Sequence, residues 1–598
     1  MCKFAEWVRQ PETRGAESQR ATMKRREVSL SAVISLGCCS VVGHACAQVG
    51  VGQLNGVWQA RVDYVDEPNV VVRLAQASDR WLLTGPDGTE VAASPLEDGT
   101  FLAAFGDLGS VRFEPPQPGK PAVLFWIQPP SQMLSQAHAT PLRCAQLADG
   151  SWMGGAETLD DGTELFLVID EIAGEQRVEF VEHSLNFGRF WQVSGLAVQG
   201  SRGVVFEGME PTGEGRLESG DTMVLSSEAL EPLSFTRIEA AAAVGYLPGE
   251  PGASATNPPV LNDGWVTARP EDVGLDSAVV DGMLRSLADP ARRSISSTRV
   301  HSVQIARHGK LAVDAYFFAR DADEPHDTRS AGKSVGSLLL GAALGNDGVA
   351  DLEKPMSSLL PGRVARDASQ VTLRDMVSMR SGLWADDGDP DCPAEENNVQ
   401  NSGLQDWYAP VLQAPARHEP GSHFAYSSMS INIAGAVISE TTNRWMPALM
   451  EDVLFSPMQI QTYHINLMPS QDAYLGGGIR LRPRDFLKIG QLVLDQGRWR
   501  DVQVVPPEWM AATTAPLTEV RPGLSYASGW WERTYEVDVR RRKTIQARGN
   551  GGQVVIACPE LRLVACFIAS NYGDGRAAAQ IADKLAPEYV LRAALQGE

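Results

Sequence analysis

The chain falls into two halves whose apolar residues follow different patterns. From Gly56 to about Arg237, apolar and polar residues alternate in short runs between Gly, Pro and Asp turns, which is typical of strands joined by hairpins. Pro, Gly and small residues replace this pattern from Tyr246 to Pro259, as in a linker. The sequence therefore predicts a multidomain chain with a β-rich domain (sandwich or barrel) at 50–245, a linker at 246–260 and a second domain at 261–598.

Two Gly-x-Trp sequences, at Gly56-Val57-Trp58 and Gly150-Ser151-Trp152, open stretches of similar length in the β-rich half. Their spacing indicates that this half could consist of two small β units. We interpret Trp58, Trp126 and Trp152 as core aromatic residues rather than as a sugar-binding platform. No residue pattern in this half predicts chemistry, so its role stays open.

The second half begins and ends with strand patterns and has helical patterns between them. Residues 302–318 predict two strands around a turn, and the residues flanking Pro559–Arg562 predict two more. The predicted helices are Ser334–Leu344, Leu373–Met379, Met429–Glu440, Phe486–Asp495 and Gly575–Leu591. Because strands at both ends of a domain can share one sheet, we predict an α/β domain with an antiparallel sheet, flanking helices and a helical insertion. The cleft is expected where sheet and insertion meet.

The first 47 residues have the pattern of an export signal behind a short extension. Basic residues follow Met23, an apolar run extends from Val28 to Val42, and Ala45-Cys46-Ala47 is typical of a cleavage site. We therefore expect 1–47 to be an upstream extension and signal peptide, and the protein to be periplasmic or secreted. A lipoprotein signal at Cys38 and a buried N-terminal helix are the alternatives. No segment has the length of apolar residues that a transmembrane anchor needs.

Composition argues against several classes of partner. The chain has 52 Lys and Arg against 74 Asp and Glu, a formal net charge of −22, whereas nucleic-acid binding depends on a basic face. The cysteines beyond the signal are too widely spaced for a disulfide framework or a Cys-x-x-Cys site, and the nine histidines form no zinc motif. We therefore predict no metal, no cofactor and no nucleic acid; a small-molecule substrate is what the resemblance described below implies.

Candidate chemistry begins at Thr328-Arg329-Ser330-Ala331-Gly332-Lys333-Ser334. Ser330 and Lys333 are three residues apart, so at the start of a helix they share a face and the amine can reach the hydroxyl. The positive end of the helix dipole also favours a developing negative charge on the oxygen. The alternative is that Ser330 only caps the helix. Lys333 is the only lysine of the chain with a serine three residues before it.

Two other motifs overlap these residues and point to different chemistry. Gly332-Lys333-Ser334 resembles the end of a phosphate-binding loop, but Asp327 stands where that loop needs its first glycine. Gly332-Lys333-Ser334-Val335-Gly336 also fits the G-x-S-x-G of α/β-hydrolases, with Ser334 as the nucleophile. That motif requires a preceding apolar strand and a later histidine, and no histidine follows His464. The sequence therefore favours Ser330 as the nucleophile.

The second half resembles the serine β-lactamase-like hydrolases, in particular the branch of class C β-lactamases, penicillin-binding esterases and 6-aminohexanoate-dimer hydrolase. The resemblance covers about Trp265 to Leu595, and its specificity comes from the order of six stretches rather than from any one of them. These are HDTRSAGKS at 326–334, VTLRDMVSMRSGL at 371–383, PGSHFAYSSMSINIAGAVI at 420–438, GGGIRLRPRDFLKIGQLVL at 476–494, VVPPEWM at 504–510 and ARGNGGQVVIACPELRLVACFIASNY at 547–572.

This resemblance implies a role for each matching residue. It makes Ser330 the nucleophile, Lys333 its partner and Tyr426 the phenol of the family's second motif. It places Gly549 to Gln553 on the edge strand that faces the serine, with the backbone N–H groups of Ser330 and Gln553 as an oxyanion hole, where each donor is worth roughly 3 kcal/mol. The remaining implied substrate contacts are Ser428, Asn550, Gly551 and Gly552.

Two departures from the family pattern bear on the substrate. Ser428 stands where the second motif usually has Asn, and Asn550 stands where the third motif usually has Lys or His. A neutral amide supplies hydrogen bonds but no charge, which weakens the site for the carboxylate of a penicillin or a cell-wall peptide. We therefore favour an esterase or amidase over a β-lactamase or D-Ala-D-Ala peptidase.

The predicted mechanism is acyl transfer through an acyl-enzyme on Ser330. Lys333 as a neutral amine, or Tyr426 as a phenolate held by Lys333, takes the proton of the serine, and the sequence leaves both arrangements open. Water activated through Tyr426 then releases the acyl group. A catalytically silent binding protein, in which the β-rich half recognises a ligand, is the alternative from another class.

Overall fold

The computed structural model describes most of the chain beyond residue 53. The described residues are 54–63, 69–117, 122–130, 136–159, 162–172, 175–182, 195–199, 203–207, 213–227, 230–243, 245–293 and 297–596. The extension and signal peptide expected at 1–47 lie outside them. The described residues form two compact units, the first from 54–60, 168–178 and 195–238, and the second from 61–167, 179–182 and 239–596.

The first unit is built on an eight-stranded sheet. Its strands, in spatial order, are Glu175–Glu182, Gly162–Ile172, Gly56–Asp63, Leu230–Ile238, Thr222–Ser227, Gly213–Leu217, Gly203–Glu207 and Gly195–Gln199. The five strands between Gly195 and Ile238 are antiparallel neighbours, as expected for successive hairpins. Trp58 is fully buried in this sheet and lies under the guanidinium of Arg237, so its interpretation as a core aromatic is confirmed.

The β-rich residues of the second unit form a curled sheet. Nine strands in spatial order run Glu90–Ala92, Arg80–Thr84, Asn69–Ala77, Trp152–Glu157, Ala137–Gln146, Val123–Gln128, Ser110–Glu114, Phe101–Ala104 and Ser94–Pro95. The first and last of these strands are separated by one residue in sequence, so the sheet curls back on itself like a barrel. Alternate residues Val70, Val72 and Leu74 are buried, whereas Val71 between them is exposed.

The two tryptophans that suggested a repeat do not open two equivalent units. Trp152 begins the strand Trp152–Glu157 of the curled sheet, whereas Trp58 lies in the sheet of the first unit. Trp126 is buried and Trp152 packs against the same apolar core, so both are core aromatics as expected. The two β sheets therefore interleave along the chain instead of following one another.

The curled sheet continues into the second half of the chain. The strand Ala137–Gln146 pairs antiparallel with Tyr463–Leu467, which pairs in turn with Ile479–Leu481, and that strand pairs with His326–Asp327. Phe125 packs edge-on against Trp445 with a centroid distance of 5.2 Å. The predicted domain boundaries stay a prediction, but backbone hydrogen bonds connect the residues on both sides of the linker.

A second sheet in this unit carries the strands at both ends of the predicted α/β domain. Its nine strands, in spatial order, are Val266–Thr267, Lys310–Tyr316, Val300–Arg307, Leu563–Ala569, Gln553–Cys558, Arg540–Gly549, Trp531–Val537, Leu524–Tyr526 and Thr518–Arg521. All neighbours are antiparallel except Val266–Thr267, which is parallel to Lys310–Tyr316. The predicted fold class is confirmed: a sheet-rich N-terminal region precedes an α/β domain with an antiparallel sheet.

Helices cover this sheet and fill the insertion. The α-helices are Ser277–Ala288, Gly332–Leu344, Gly348–Asp351, Met356–Leu359, Leu373–Val377, Glu396–Gln400, Ala409–Leu412, Ser428–Thr442, Met446–Met450, Pro483–Leu494, Pro507–Thr514, Gly575–Gln580 and Arg592–Gln596, with π-helical turns at Glu451–Phe455 and Ile581–Leu591. The helix Pro483–Leu494 lies directly on the sheet, where a Cβ at Gly490 would be 2.4 Å from Val564. Within the described residues, none of the helices is both long and apolar enough to cross a membrane.

We expect the stability of the fold to fall between pH 8 and pH 5, in part because His464 is buried. Burial and the charge of Arg480 lower the pKa of His464 from 6.5 to about 3, so below pH 6.5 the unfolded chain takes up a proton that the folded chain does not. At pH 5 this one site is expected to lower the free energy of unfolding by about 2 kcal/mol relative to pH 8. Thermal unfolding of His464→Gln should therefore show a smaller loss between these pH values than the unaltered protein. His423→Gln, at an exposed position, is the control, and equal losses in both variants would contradict the prediction.

Candidate active site

Ser330 and Lys333 lie at the start of the helix Gly332–Leu344. Ser330 is in the middle of a 3-10 turn, Arg329–Ala331, that leads directly into the helix. The Nζ atom of Lys333 is 2.9 Å from the Oγ atom of Ser330, and the lysine side chain is almost completely buried. The residue at the N-cap position is Ala331 and no side chain caps the helix, so the capping alternative for Ser330 is wrong.

Glycines allow two other segments to approach the Ser330 turn closely. A Cβ at Gly549, the last residue of its strand, would lie 2.4 Å from the carbonyl oxygen of Thr328. A Cβ at Gly477 would lie 3.0 Å from the carbonyl carbon of Arg329. Arg329 itself has a left-handed φ of 49°. The end of the strand that contains Gly549 and the 476–478 loop therefore pack against the backbone of the Ser330 turn. A side chain at either glycine would displace this turn.

The amine of Lys333 has two further hydrogen-bond partners. It lies 2.9 Å from the Oγ atom of Ser428 and also donates to the carbonyl oxygen of Gly476. Ser428 begins the helix Ser428–Thr442, so two helices and one loop fix the position of the amine. Ser428 was predicted to contact the substrate, but it is buried and does not line the cavity described below. In the structure Ser428 contacts the lysine, and its contact with substrate stays a prediction.

Tyr426 is half-buried and its ring lies beside the amine of Lys333. The Nζ atom of Lys333 is 5.1 Å from the centroid of its ring, which stacks on Trp531 with an interplanar angle of 20°. Among the described residues, the hydroxyl of Tyr426 makes no hydrogen bond to Ser330 or Lys333. The structure thus brings the ring beside the amine, while the part that the phenol plays in proton transfer stays a prediction.

Two carboxylates that the sequence analysis missed lie behind Ser428. The hydroxyl of Ser428 donates to Oε2 of Glu396 at 3.2 Å, and its backbone N–H donates to Oδ2 of Asp387 at 2.7 Å. The hydroxyl of Tyr474 donates to the other oxygen of Glu396. Asp387 lies in a loop and Glu396 begins the short helix Glu396–Gln400, in a stretch of sequence with many acidic residues that resembles solvent-exposed surface. The spacing of these residues gave no signal in the sequence, because their contacts with Ser428 connect positions 41 and 32 residues apart.

The resemblance places Gly549 to Gln553 on an edge strand, and this prediction is wrong: Arg540–Gly549 and Gln553–Cys558 are inner strands of the nine-stranded sheet. Only part of the segment from Gly549 to Gln553 lines the cleft. Asn550 is exposed and lines the cavity with Gly549, but Gly551 and Gly552 do not. Both have left-handed φ angles, and a Cβ would be 2.6 Å from the ring of Tyr572 at the first and 2.4 Å from Ile581 at the second. The predicted substrate contacts of Gly551 and Gly552 stay a prediction; in the structure, both glycines let the chain turn against the side chains of Tyr572 and Ile581.

Gln553 follows this turn and is fully buried. Its side-chain amide donates to the carbonyl oxygen of Ala569 and to the hydroxyl of Tyr572, so the side chain points away from the cleft. Its backbone pairs with Gly549, which adjoins the Ser330 turn. The predicted contribution of Gln553 to an oxyanion hole concerns only its backbone N–H and stays a prediction.

Ser334, the nucleophile of the competing motif, is buried. Its hydroxyl donates to the carbonyl oxygen of Gly529 at 2.6 Å. Ser330, in contrast, lines a cavity of about 480 Å³. The lining residues are Ser330, Tyr426, Val520, Arg521, Leu524, Trp531, Arg548, Gly549 and Asn550. The geometry therefore offers Ser330, and not Ser334, to a substrate.

A serine hydroxyl 2.9 Å from a buried amine, at the start of a helix and beside an inner strand of an antiparallel sheet, makes up the site, and comparison with known proteins identifies the class of the fold. Residues 288–587, half of the chain, match the Beta-lactamase family. The chain belongs to this family, and the resemblance predicted from the ordered motifs is confirmed.

Individual relatives are distant. Protein flp of Staphylococcus aureus (strain MW2) is 22% identical over 171 residues, which are 27% of this chain and 33% of that protein. The chain thus spans about a third of the length of this curated relative. Among solved structures, a putative 6-aminohexanoate-dimer hydrolase from Bacillus anthracis is 18% identical, with 55% of this chain and 87% of the other covered and a TM-score of 0.44. A family VIII carboxylesterase is 16% identical, with 56% and 99% covered and a TM-score of 0.43.

The carboxylate of Asp387 is expected to lower the stability of the protein at alkaline pH. Burial, and secondarily the charge of Glu396, raises its pKa from 3.8 to about 6, so the folded protein loses stability as the pH rises through 6 and this group ionises. Asp387→Asn keeps an oxygen acceptor for the N–H of Ser428 and removes the charge. We expect it to raise the free energy of unfolding by about 1 kcal/mol more at pH 8 than at pH 5.

Chemical denaturation of Asp387→Asn at both pH values measures this difference. Asp391→Asn removes one charge from an exposed position of the same loop and is the control. A gain that is the same at both pH values, or equal in the control, would contradict the prediction.

Proposed function

We propose that this protein is a serine hydrolase that cleaves an ester or amide of a small molecule through an acyl-enzyme on Ser330. The contact of 2.9 Å between the hydroxyl of Ser330 and the amine of Lys333, at the wall of a cavity, is the observation that carries the proposal. Membership in the β-lactamase family supports the same class of chemistry.

The hydrogen bonds around Lys333 indicate how the amine can act as a base. Ser428 donates its only hydroxyl hydrogen to Glu396, so it accepts from the lysine, and the carbonyl of Gly476 can only accept. Two hydrogens of Nζ are thereby used, and its remaining position faces Ser330. In a neutral amine that position is the lone pair, which can receive the hydroxyl proton.

The reaction then follows in two steps. The Oγ atom of Ser330 forms a bond to the carbonyl carbon of the substrate, and its proton passes to Nζ of Lys333. The tetrahedral intermediate collapses when the bond to the leaving group breaks, and the leaving oxygen or nitrogen takes a proton through Lys333 or Tyr426. Water repeats the sequence on the acyl-enzyme and returns the proton to Ser330. Backbone N–H groups of Ser330 and Gln553 are proposed to bind the oxyanion.

We further propose that the protein acts outside the cytoplasm. The support is the pattern of basic, apolar and small residues from Met23 to Ala47. Position 550 is Asn, so the family's third motif itself supplies no cation here, and this position taken alone favours ester or amide cleavage over β-lactam cleavage.

Substitution of the two serines distinguishes the proposed nucleophile from its neighbour. Ser330→Ala should abolish turnover of p-nitrophenyl esters and covalent labelling by a fluorophosphonate, read by intact mass. Lys333→Ala should lower kcat/KM by about three orders of magnitude, because the serine loses its base. Ser334→Ala removes a buried hydrogen bond to a backbone carbonyl and is the matched control, with activity retained. Labelling that survives in Ser330→Ala and is lost in Ser334→Ala would refute the assignment.

Replacement of Tyr426 by Phe tests the phenol alone. Tyr426→Phe keeps the ring that stacks on Trp531 and lies beside Lys333, and it removes only the hydroxyl. If the phenol transfers a proton, kcat should fall by about 10²-fold or more with little change in KM. Retention of kcat would instead make Lys333 the only general base and acid of the site. Trp531→Phe, in which the stacking partner is changed, controls for disturbance of the ring.

A further inference from the structure

Two arginines line the cavity beside Ser330, and we propose that they bind a carboxylate carried by the substrate. Arg521 and Arg548 are the only charged residues among the nine that line the cavity in the described part of the chain. The whole sequence has more acidic than basic residues, 74 against 52. The lining of this cavity has the opposite balance, because it contains two arginines and no acidic residue. The inference rests on the proposed hydrolase function and names its substrate class.

The arginines belong to a cluster with excess positive charge. Asp583 lies 3.1 Å from Nη2 of Arg548, 3.7 Å from Nε of Arg533 and 3.8 Å from Nη2 of Arg521. One carboxylate is thus shared by three guanidinium groups, which leaves two formal positive charges. The side chains of Arg548 and Arg533 are only 18% and 23% exposed, so water and salt screen them less than they would at a free surface.

Asp583 also fixes where the cluster lies. It holds Arg548 at the end of the strand Arg540–Gly549, one residue before the glycine that packs against the Ser330 turn. Arg548 is the last residue but one of the strand and Asn550 begins the turn that follows it, and both line the cavity. A substrate whose carbonyl carbon is at Ser330 therefore has a guanidinium within the same cavity. Guanidinium groups bind carboxylates with two parallel hydrogen bonds, which favours this ligand over a simple counter-ion.

Three of the other lining residues carry apolar side chains and limit the substrate further. Val520, Leu524 and Trp531 contribute hydrocarbon surface, and the cavity of about 480 Å³ suits a small molecule. The geometry points to an ester or amide with a short apolar segment that separates the scissile carbonyl from a carboxylate. The cation that the family's third motif lacks here is thus supplied by other positions.

Two pairs of esters, each matched in size and different in charge, test the proposal. Mono-p-nitrophenyl glutarate and its methyl ester place the charge on the acyl side, and 4-carboxyphenyl butyrate and its methyl ester place it on the leaving side. We expect kcat/KM to be at least tenfold higher for the charged member of one pair, and this ratio to fall with added salt. Arg521→Gln and Arg548→Gln should each lower the ratio about tenfold, mainly through KM, whereas Asp583→Asn should raise it. Arg541→Gln, at an exposed position of the same strand as Arg548, is the matched control.

Each outcome decides the matter. Preference for the neutral member of both pairs, or a ratio that neither arginine variant changes, would overturn the inference. If turnover of the neutral esters is then still lost in Ser330→Ala, the hydrolase function stands without the anion site. Failure of all four esters, together with failure of fluorophosphonate labelling, would overturn the proposed function and with it this inference. Arg521 is exposed, so its replacement should leave folding intact even if Arg548→Gln does not fold.

Discussion

The burial of one amine organises the site. A lysine ammonium or amine taken out of water is costly unless hydrogen bonds replace its solvation. Lys333 meets this requirement with three oxygens, from Ser330, Ser428 and Gly476, that come from three segments far apart in sequence. Any displacement of these segments would leave the amine unsatisfied, so their relative positions are coupled to the contact that carries the chemistry.

The carboxylates behind Ser428 extend this coupling away from the cleft. Glu396 accepts the hydrogen of the Ser428 hydroxyl and so orients its lone pairs toward Lys333. Asp387 accepts the N–H of Ser428 and donates its own N–H to the carbonyl of Tyr426, which ties the loop to the residue that stacks over the amine. The raised pKa of Asp387 shows that this arrangement holds a carboxylate where its charge is disfavoured. We therefore expect this loop to lower the stability of the fold at high pH, while its hydrogen bonds order the groups around Ser330.

Much of this site could be predicted from local spacing, because some of its contacts are local. Ser330 and Lys333 are one helical turn apart, and their contact follows from helix geometry alone. The strands at both ends of the α/β domain were also predictable, since apolar alternation around short turns is a local signal. The partners Glu396 and Asp387 were not, because they are 32 and 41 residues away from Ser428 in sequence and no local pattern connects them. The pairing of Ala137–Gln146 with Tyr463–Leu467 was equally hidden, since alternation predicts a strand but does not identify its neighbour.

The glycines after Asn550 and the charge of the cleft show that a family motif also fails to predict some contacts within the site. The family pattern assigns a substrate contact to Gly551 and Gly552, but a missing side chain only permits close approach and does not say which atoms approach. Here those atoms belong to Tyr572 and Ile581. The pattern also equates the loss of one cation at position 550 with a neutral cleft. Charge, however, acts through space. Arg548, two residues before Asn550, and Arg521, on the strand Thr518–Arg521, both line the same cavity. A motif read position by position therefore underestimates a property that depends on the sum of the surrounding charges.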